Sequence, residues 1–381
     1  MNMLIRGLLA AEKFVRGTKA VPEQVNTALF LEYRLPLGCL VHLTPVFEAV
    51  KRFRPEIAVA VATAGLGLQV LRHNPFVDHL IDAPDPTLEL RRAVSRLREE
   101  LNRRNIRPDC VLTGASDQRT KIALLGLLGS SGWRGGFTVN PALYHRPLEY
   151  DAGLSLIRNN LRLAELIGCS ADSKPPRVFF SKADAEAAIA MLQAANPEGR
   201  HVLAMVTQTS GGQSIGWHTE RLVEVIRNAA VERGFGVVYL GTAGEAAAIE
   251  ELRQAAGGLG TSIAGKTTVN QLAAVLALSD FSVALDTGPM HVARAAATPM
   301  VVLAPSWQKP LEWLPLAVDN VRILRGEDRI GVPPGYRLDE ISAGAVIAAL
   351  DELVQVYPPS ETAREARLQA GMSEVDHLET G

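Results

Sequence analysis

Residues 279–313 read SDFSVALDTGPMHVARAAATPMVVLAPSWQKPLEW. Phe281 to Leu285 is an apolar run with the length and composition of a buried strand. Asp286-Thr287-Gly288-Pro289 follows as a tight turn, and the small residues from Met290 to Ala297 read as a helix. Met300 to Ala304 is the next apolar run. The unit is strand–turn–helix–strand, the building block of a parallel α/β sheet. Pro289 suits the first turn of the helix, where its missing N–H costs nothing. Thr287 and Gly288 then leave backbone N–H groups free above the turn, a natural cradle for a phosphate. An ordinary βα turn has the same outline, so the turn alone does not fix a ligand.

Working outward, 381 residues suffice for two such domains. The chain is 47% hydrophobic and 21% charged, the balance of a globular protein. A net charge of −2 gives no electrostatic reason to expect nucleic-acid binding. Cys39, Cys110 and Cys169 are far apart, form no CxxC pair and have no zinc spacing to histidines, which fits a reducing cytoplasm. No apolar run reaches the ~20 residues of a membrane span. Residues 1–20 alternate Leu4, Ile5, Leu8, Leu9, Phe14 and Val15 with Arg6, Lys13, Arg16 and Lys19. Such a basic amphipathic segment either lies on an anionic membrane surface or docks on the protein body. Its apolar region is too broken for a signal peptide.

The segment from Asp286-Thr287-Gly288-Pro289-Met290-His291 through Thr298-Pro299, Pro305 and Trp313 resembles the signature of glycosyltransferase family 9, the bacterial heptosyltransferases of lipopolysaccharide core assembly. That family's pattern runs D-[TS]-G-P-M-H-L-A-A-A-L-G-T-P. The resemblance implies an α/β protein of GT-B fold, two Rossmann-like domains with parallel sheets facing a cleft. It also implies metal-independent, inverting transfer of a heptose from an ADP-sugar, with the nucleotide sugar as substrate and no cofactor.

Taken in order, 21–172 is expected to form the acceptor-side domain. Thr27 to Tyr33 reads as its first strand and Glu56 to Ala62 as its second. Val46, Ala49, Val50 and Phe53 recur at helical spacing. Arg34, Gly38 and Thr44-Pro45 resemble the family's first loop, R-x-x-x-x-G-D-x-x-x-x-T-P. The family's Asp, its general base toward the acceptor hydroxyl, is Cys39 here. A thiol with an ordinary pKa near ~8.5 is a poor substitute for a carboxylate. His42, one turn on, is the other candidate base. A stripe of Leu90, Ala93, Val94, Leu97 and Leu101 marks a helix whose opposite face carries Arg91, Arg92, Arg96, Arg98, Arg103 and Arg104. That face is either simply solvated or turned toward an anionic acceptor.

Residues 171–176 have linker composition. The donor domain is expected over 177–357. Its loop TQTSGGQSIG, residues 207–216, is rich in glycine and hydroxyl groups, and Thr209 and Ser210 are candidates to hold a phosphate or ribose. The family places a lysine for the donor diphosphate here; Ser214-Ile215-Gly216 stand in its register. Glu245, in a segment resembling L-L-G-G-P-x-E, is a candidate for the ribose hydroxyls or an acid favoured at a helix start. Ala264-Gly265-Lys266-Thr267-Thr268 resembles the family's adenine-pocket segment, which makes Lys266 and Thr267 donor candidates. A C-terminal helix from about Leu338 to Val356 is expected to cross back to the first domain. Residues 358–381 read as a frayed polar tail.

The sequence therefore points to a glycosyltransferase with donor residues Asp286, Thr287, Gly288, Pro289, Met290, His291, Glu245, Lys266, Thr267, Thr209 and Ser210. Its acceptor is a lipid-linked or other glycan, its location the cytoplasm at the inner face of the inner membrane. The alternative is a catalytically impaired homologue that binds a nucleotide or glycan. The missing G-x-G-x-x-G after the first strand argues against a nicotinamide-dependent dehydrogenase.

Overall fold

The computed structural model describes residues 7, 9–10, 22–34, 36–170, 172, 174–208, 216–332 and 334–378. The first half runs β1 (Thr27–Leu31), α1 (Leu37–Val41), α2 (Thr44–Phe53), β2 (Ala58–Thr63), α3 (Leu66–Leu71), β3 (His79–Asp82), α4 (Pro86–Arg103), β4 (Cys110–Thr113), α5 (Thr120–Gly129), β5 (Trp133–Phe137), β6 (Arg146–Leu148) and α6 (Leu156–Leu166). The second runs α7 (Lys182–Ala195), β7 (Val202–Val206), α8 (Thr219–Arg227), β8 (Gly236–Leu240), α9 (Ala246–Ala255), β9 (Thr261–Ser262), α10 (Val269–Leu278), β10 (Phe281–Leu285), α11 (Gly288–Ala295), β11 (Met300–Leu303), α12 (Pro310–Trp313), β12 (Val321–Leu324), α13 (Ala343–Val356) and α14 (Glu361–Gly371).

The strands make two six-stranded sheets, in the orders β3-β2-β1-β4-β5-β6 and β12-β11-β10-β7-β8-β9. Every pairing is parallel. Each sheet thus repeats the doubly wound order, with a reversal between β1 and β4 and again between β7 and β10. Strands covered by helices on both faces must be apolar on both, which is why TALFL and FSVAL read as unbroken runs rather than alternations. Alternate residues feed opposite layers: Leu203 and Met205 pack in one core, Ala204 and Val206 in the other. One of these cores is continuous between the halves, joining Val41 and Val46 to Met290 and Val292.

Two expectations about the C-terminus need correction. The helix α13 packs on α8, β11 and β12, within its own half. The segment that returns to the first half is the tail, and over its described residues it is ordered. Ser360 caps α14 by accepting the Ala363 N–H. Arg367 donates to the carbonyls of Ala277 and Ser279, at the C-terminal end of α10, and Arg364 pairs with buried Asp280 at 2.6 Å. A cation at a helix C-terminus is favoured by the exposed carbonyls there. Beyond α14, Asp376 pairs with Arg72 at 2.7 Å and the Val375 carbonyl meets His73 Nδ1 at 2.7 Å. The tail is polar because its bonds are polar, not because it is loose. Residues 1–20 lie outside the described residues save for positions 7, 9 and 10. No helix among the described residues is long and apolar enough to cross a membrane.

Candidate active site

In doubly wound sheets the loops at the C-terminal edge of the reversal point splay apart and leave a crevice. Here two such crevices face each other and merge into a cavity of about 1230 Å³. Arg34 to Cys39, after β1, and Ala115, Ser116 and Gln118, after β4, form one wall. Asp286 to Pro289 and His291, after β10, form the other, with Gly241 to Ala243 and Gly265, Thr267 and Thr268 continuing it. Gly265 is required there: its φ is +72°, and a Cβ would lie 2.7 Å from Ala243 Cα. Leu66 and Gln69 of α3 reach the same cavity, and the Gln69 carbonyl accepts a hydrogen bond from Asn270 at 2.9 Å.

The helix α11 begins at the turn expected from sequence. The N–H groups of Thr287 and Gly288 have no hydrogen-bond partner among the described residues, as the first turn of a helix requires. Beside them Asp286 is 6% exposed. Burial alone pushes its carboxyl up to about 6. His291 Nε2 lies 3.9 Å from Asp286 Oδ1. Burial, with Arg294 adding to it, pushes His291 down to about 3, so the ring is neutral at ordinary pH. Met290 is fully buried in the core and supports the turn from below without lining the cavity.

The other candidates divide. Thr267 lines the cavity, whereas Lys266 turns away toward the Ser262 carbonyl. Glu245 closes a capping box with Thr242, its Oε2 accepting the Thr242 N–H at 2.6 Å, and does not line the cavity. Thr209 and Ser210 lie outside the described residues. The basic face of α4 is largely neutralised by its own acids, since Glu100 pairs with Arg96, Arg103 and Arg104.

Cys39 does line the cavity, but burial, reinforced by Glu32, pushes its thiol up to about 12. It holds its proton and cannot act as the base. His42 is not in the cavity at all. Helix α1 turns it inward, 1% exposed, edge-on to His291 with ring centres 4.5 Å apart and stacked on Trp313. Burial, then His291 and Arg294, drive it well below its ordinary pKa. Trp313 packs on His42 and also lines the cavity.

Four polar groups escaped the sequence reading. Glu32, at the end of β1, is fully buried and its Oε2 has no partner. Burial, then neighbouring Asp117, raise its carboxyl well above the usual range. Asp117 accepts from the Tyr33 N–H at 2.9 Å and pairs with Arg119 at 2.6 Å. Glu32 at least carried a signal, a charge at the C-terminal end of an apolar strand. The fourth and third, Tyr150 and Glu312, meet across the cavity: Tyr150 Oη donates to Glu312 Oε1 at 2.8 Å.

Two facing doubly wound sheets with a cleft between their reversal points define the GT-B class. The chain belongs to Glycosyltransferase family 9 (heptosyltransferase), whose sequence profile it matches over residues 121–327. A glycosyl transferase family 9 structure from Veillonella parvula superimposes with a TM-score of 0.77 at 18% identity, covering 88% of this chain and 100% of the other. The E. coli ADP-heptose lps heptosyltransferase II gives 0.69 at 19% identity, over 87% and 99%. The E. coli heptosyltransferase WaaC, solved with ADP-2-deoxy-2-fluoro heptose, gives 0.62 at 18%, over 86% and 99%. These likenesses establish the fold. No curated protein sequence matches the chain.

Proposed function

We propose that this chain is an inverting glycosyltransferase. It moves a heptose or related sugar from an ADP-sugar to a lipopolysaccharide-core-type or other glycan acceptor, without a bound metal. The observation that carries the reading is the α11 cradle. Two N–H groups without a partner among the described residues, at Thr287 and Gly288, open onto a cleft whose second wall comes from the first half of the chain. The positive end of the helix stabilises charge developing on the departing diphosphate. Thr242, Ala243, Thr267 and Thr268 supply the wall for the nucleoside, and Arg34, Ser116 and Gln118 face the acceptor. Holding both substrates across one cleft replaces a collision by a positioned encounter. The family supports the transferase class, and the WaaC structures named for ADP and for an ADP-heptose analogue support the donor.

A second reading, a nucleotide- or glycan-binding homologue without turnover, is favoured by the protonated thiol of Cys39 at the family's base position. Calorimetric titration with ADP, UDP and ADP-heptose, followed by an assay for ADP release, separates the two. Selective binding of the ADP compounds with turnover is expected. Binding without turnover puts the second reading first. No binding at millimolar ligand, weaker than about −4 kcal/mol, overturns both for these ligands. The proposal places the protein in the cytoplasm, with residues 1–20 at the inner membrane face. Co-sedimentation with anionic vesicles, with and without those residues, tests this; equal recovery of both forms rejects it.

A further inference from the structure

The proposed reaction needs a group to take the acceptor's proton, and the cleft offers few. Among the described residues that line it, carboxylates come from Asp286 and Glu312 alone. Cys39 holds its own proton, and Glu32 and Asp117 are sealed beneath the wall. His291 is packed against Gly38 with its Nδ1 buried and unpartnered. Asp286 stands at the N-terminus of α11, the place of the leaving diphosphate, on the wrong side of the reacting carbon for a base. Glu312 differs. It lies between β11 and β12 of the donor sheet, yet two contacts press it onto the opposite domain. Tyr150 donates to its Oε1, and the adjacent Trp313 stacks on His42 with ring centres 5.7 Å apart and planes 26° apart. Its Oε2 has no hydrogen-bond partner among the described residues. Burial, then Glu312 itself, raise the Tyr150 phenol far above neutrality, so it is always the donor.

We propose that Glu312 is the general base toward the acceptor, with Tyr150 as the positioning residue that holds it against the acceptor wall. The inference rests on the transferase reading above. In the step, the acceptor oxygen forms a bond to the anomeric carbon. The bond from that carbon to the β-phosphate oxygen breaks, its electron pair leaving with ADP. The hydroxyl proton passes to Glu312 Oε2 and then to water. A thiol thus stands at Cys39, where the family resemblance places the base, while a carboxylate from the other domain occupies the same cleft. The Tyr150–Glu312 bond spans the two halves, so both position the base.

The test measures ADP released from ADP-heptose across pH. Core oligosaccharide freed of its acyl chains is one acceptor, and water alone is the other. Glu312→Gln is expected to lower kcat by ~10²–10³-fold and to abolish the fall in rate at low pH. Tyr150→Phe is expected to lower kcat by a smaller factor while leaving KM for ADP-heptose unchanged, because it loosens the carboxylate's position without removing it. Cys39→Asp, placed in the Glu312→Gln background, restores part of the rate and brings the acid limb back. ADP affinity is expected to be unchanged in Glu312→Gln. If that variant keeps kcat within about threefold and its acid limb, Glu312 is not the base. If it loses ADP binding along with rate, and Cys39→Asp restores neither, Glu312 is a structural latch and the proposal falls. A wild-type protein that neither binds nor consumes ADP-heptose instead overturns the transferase reading, whatever the variants do.

Discussion

His291 occupies the space that a side chain on Gly38 would need: a Cβ there would lie 2.5 Å from His291 Cδ2 and 2.8 Å from Nε2. One glycine of the first domain thus sets how closely the donor cradle approaches the acceptor wall. His291 cannot swing aside freely, because its ring is already edge-on to His42. Gly38→Ala is therefore expected to destabilise the protein by ~1–3 kcal/mol through overpacking. It should also weaken ADP binding, since His291 Nε2 is displaced from Asp286. Gly344→Ala is the control. Its Cβ would meet nothing nearer than Ser342 Oγ at 4.0 Å, and alanine in a helix gains up to ~1 kcal/mol. Thermal melts and ADP titrations of both variants decide the matter; equal behaviour rejects the packing argument.

Cys39 presents the opposite case, a residue at a catalytic position with the wrong chemistry. With its thiol pushed up to about 12, essentially no thiolate exists at neutral pH. Cys39→Ser is expected to leave kcat within about threefold, and iodoacetamide should label the native thiol far more slowly than a free one. A hundredfold loss on substitution, or rapid labelling, contradicts the burial argument.

The carboxyl of Asp286 makes donor binding depend on pH. Burial pushes it up to about 6, so it is ionised above that pH and neutral below. The ionised form repels a diphosphate held at the adjacent helix N-terminus. Affinity is thus expected to rise as pH falls through about 6, and the trend should vanish in Asp286→Asn. ADP-heptose is the ligand to use, because its diphosphate is a diester and has no ionisation in this range. Affinity that is flat, or that falls on acidification, refutes this account.

Much of this site was legible in the chain because its information is local. Buried parallel strands are apolar runs, and the turn Asp286-Thr287-Gly288-Pro289 carries its own helix start. Cys39 and Thr267 fell on the cavity for the same reason, by short spacing from a recognisable glycine. His42 did not, since which way a residue faces on the short helix α1 depends on packing against α11. Nothing local announces the Tyr150–Glu312 bond, whose partners are 162 residues apart in sequence. The segment from Glu361 to Gly371 has little apolar face to read. Its order comes from Arg364 and Arg367 reaching Asp280, Ala277 and Ser279, more than 80 residues earlier.

The far end of the tail gives the fold a pH dependence of definite sign. His73 is 2% exposed, with Asp184 Oδ2 3.4 Å from its Nε2 and the Val375 carbonyl at its Nδ1. Burial disfavours its charged form, but Asp184, Val375 and Asp376 together outweigh burial and raise its pKa. Asp184 is correspondingly held at about 2. A group whose pKa is raised on folding binds its proton more tightly when folded. Its stabilisation is complete below its unfolded value, ~6.5, and fades as pH rises through the higher folded value. Arg72, paired with Asp376, stays charged throughout and holds the tail at either pH. His73→Gln is therefore expected to lower Tm at pH 6 more than at pH 9, and in a chain lacking residues 358–381 that difference should shrink to the part that Asp184 supplies. Melting curves of the four forms, full and shortened chain each with and without His73→Gln, at the two pH values supply the check. A His73→Gln penalty that grows toward pH 9 would mean that the histidine is held neutral instead.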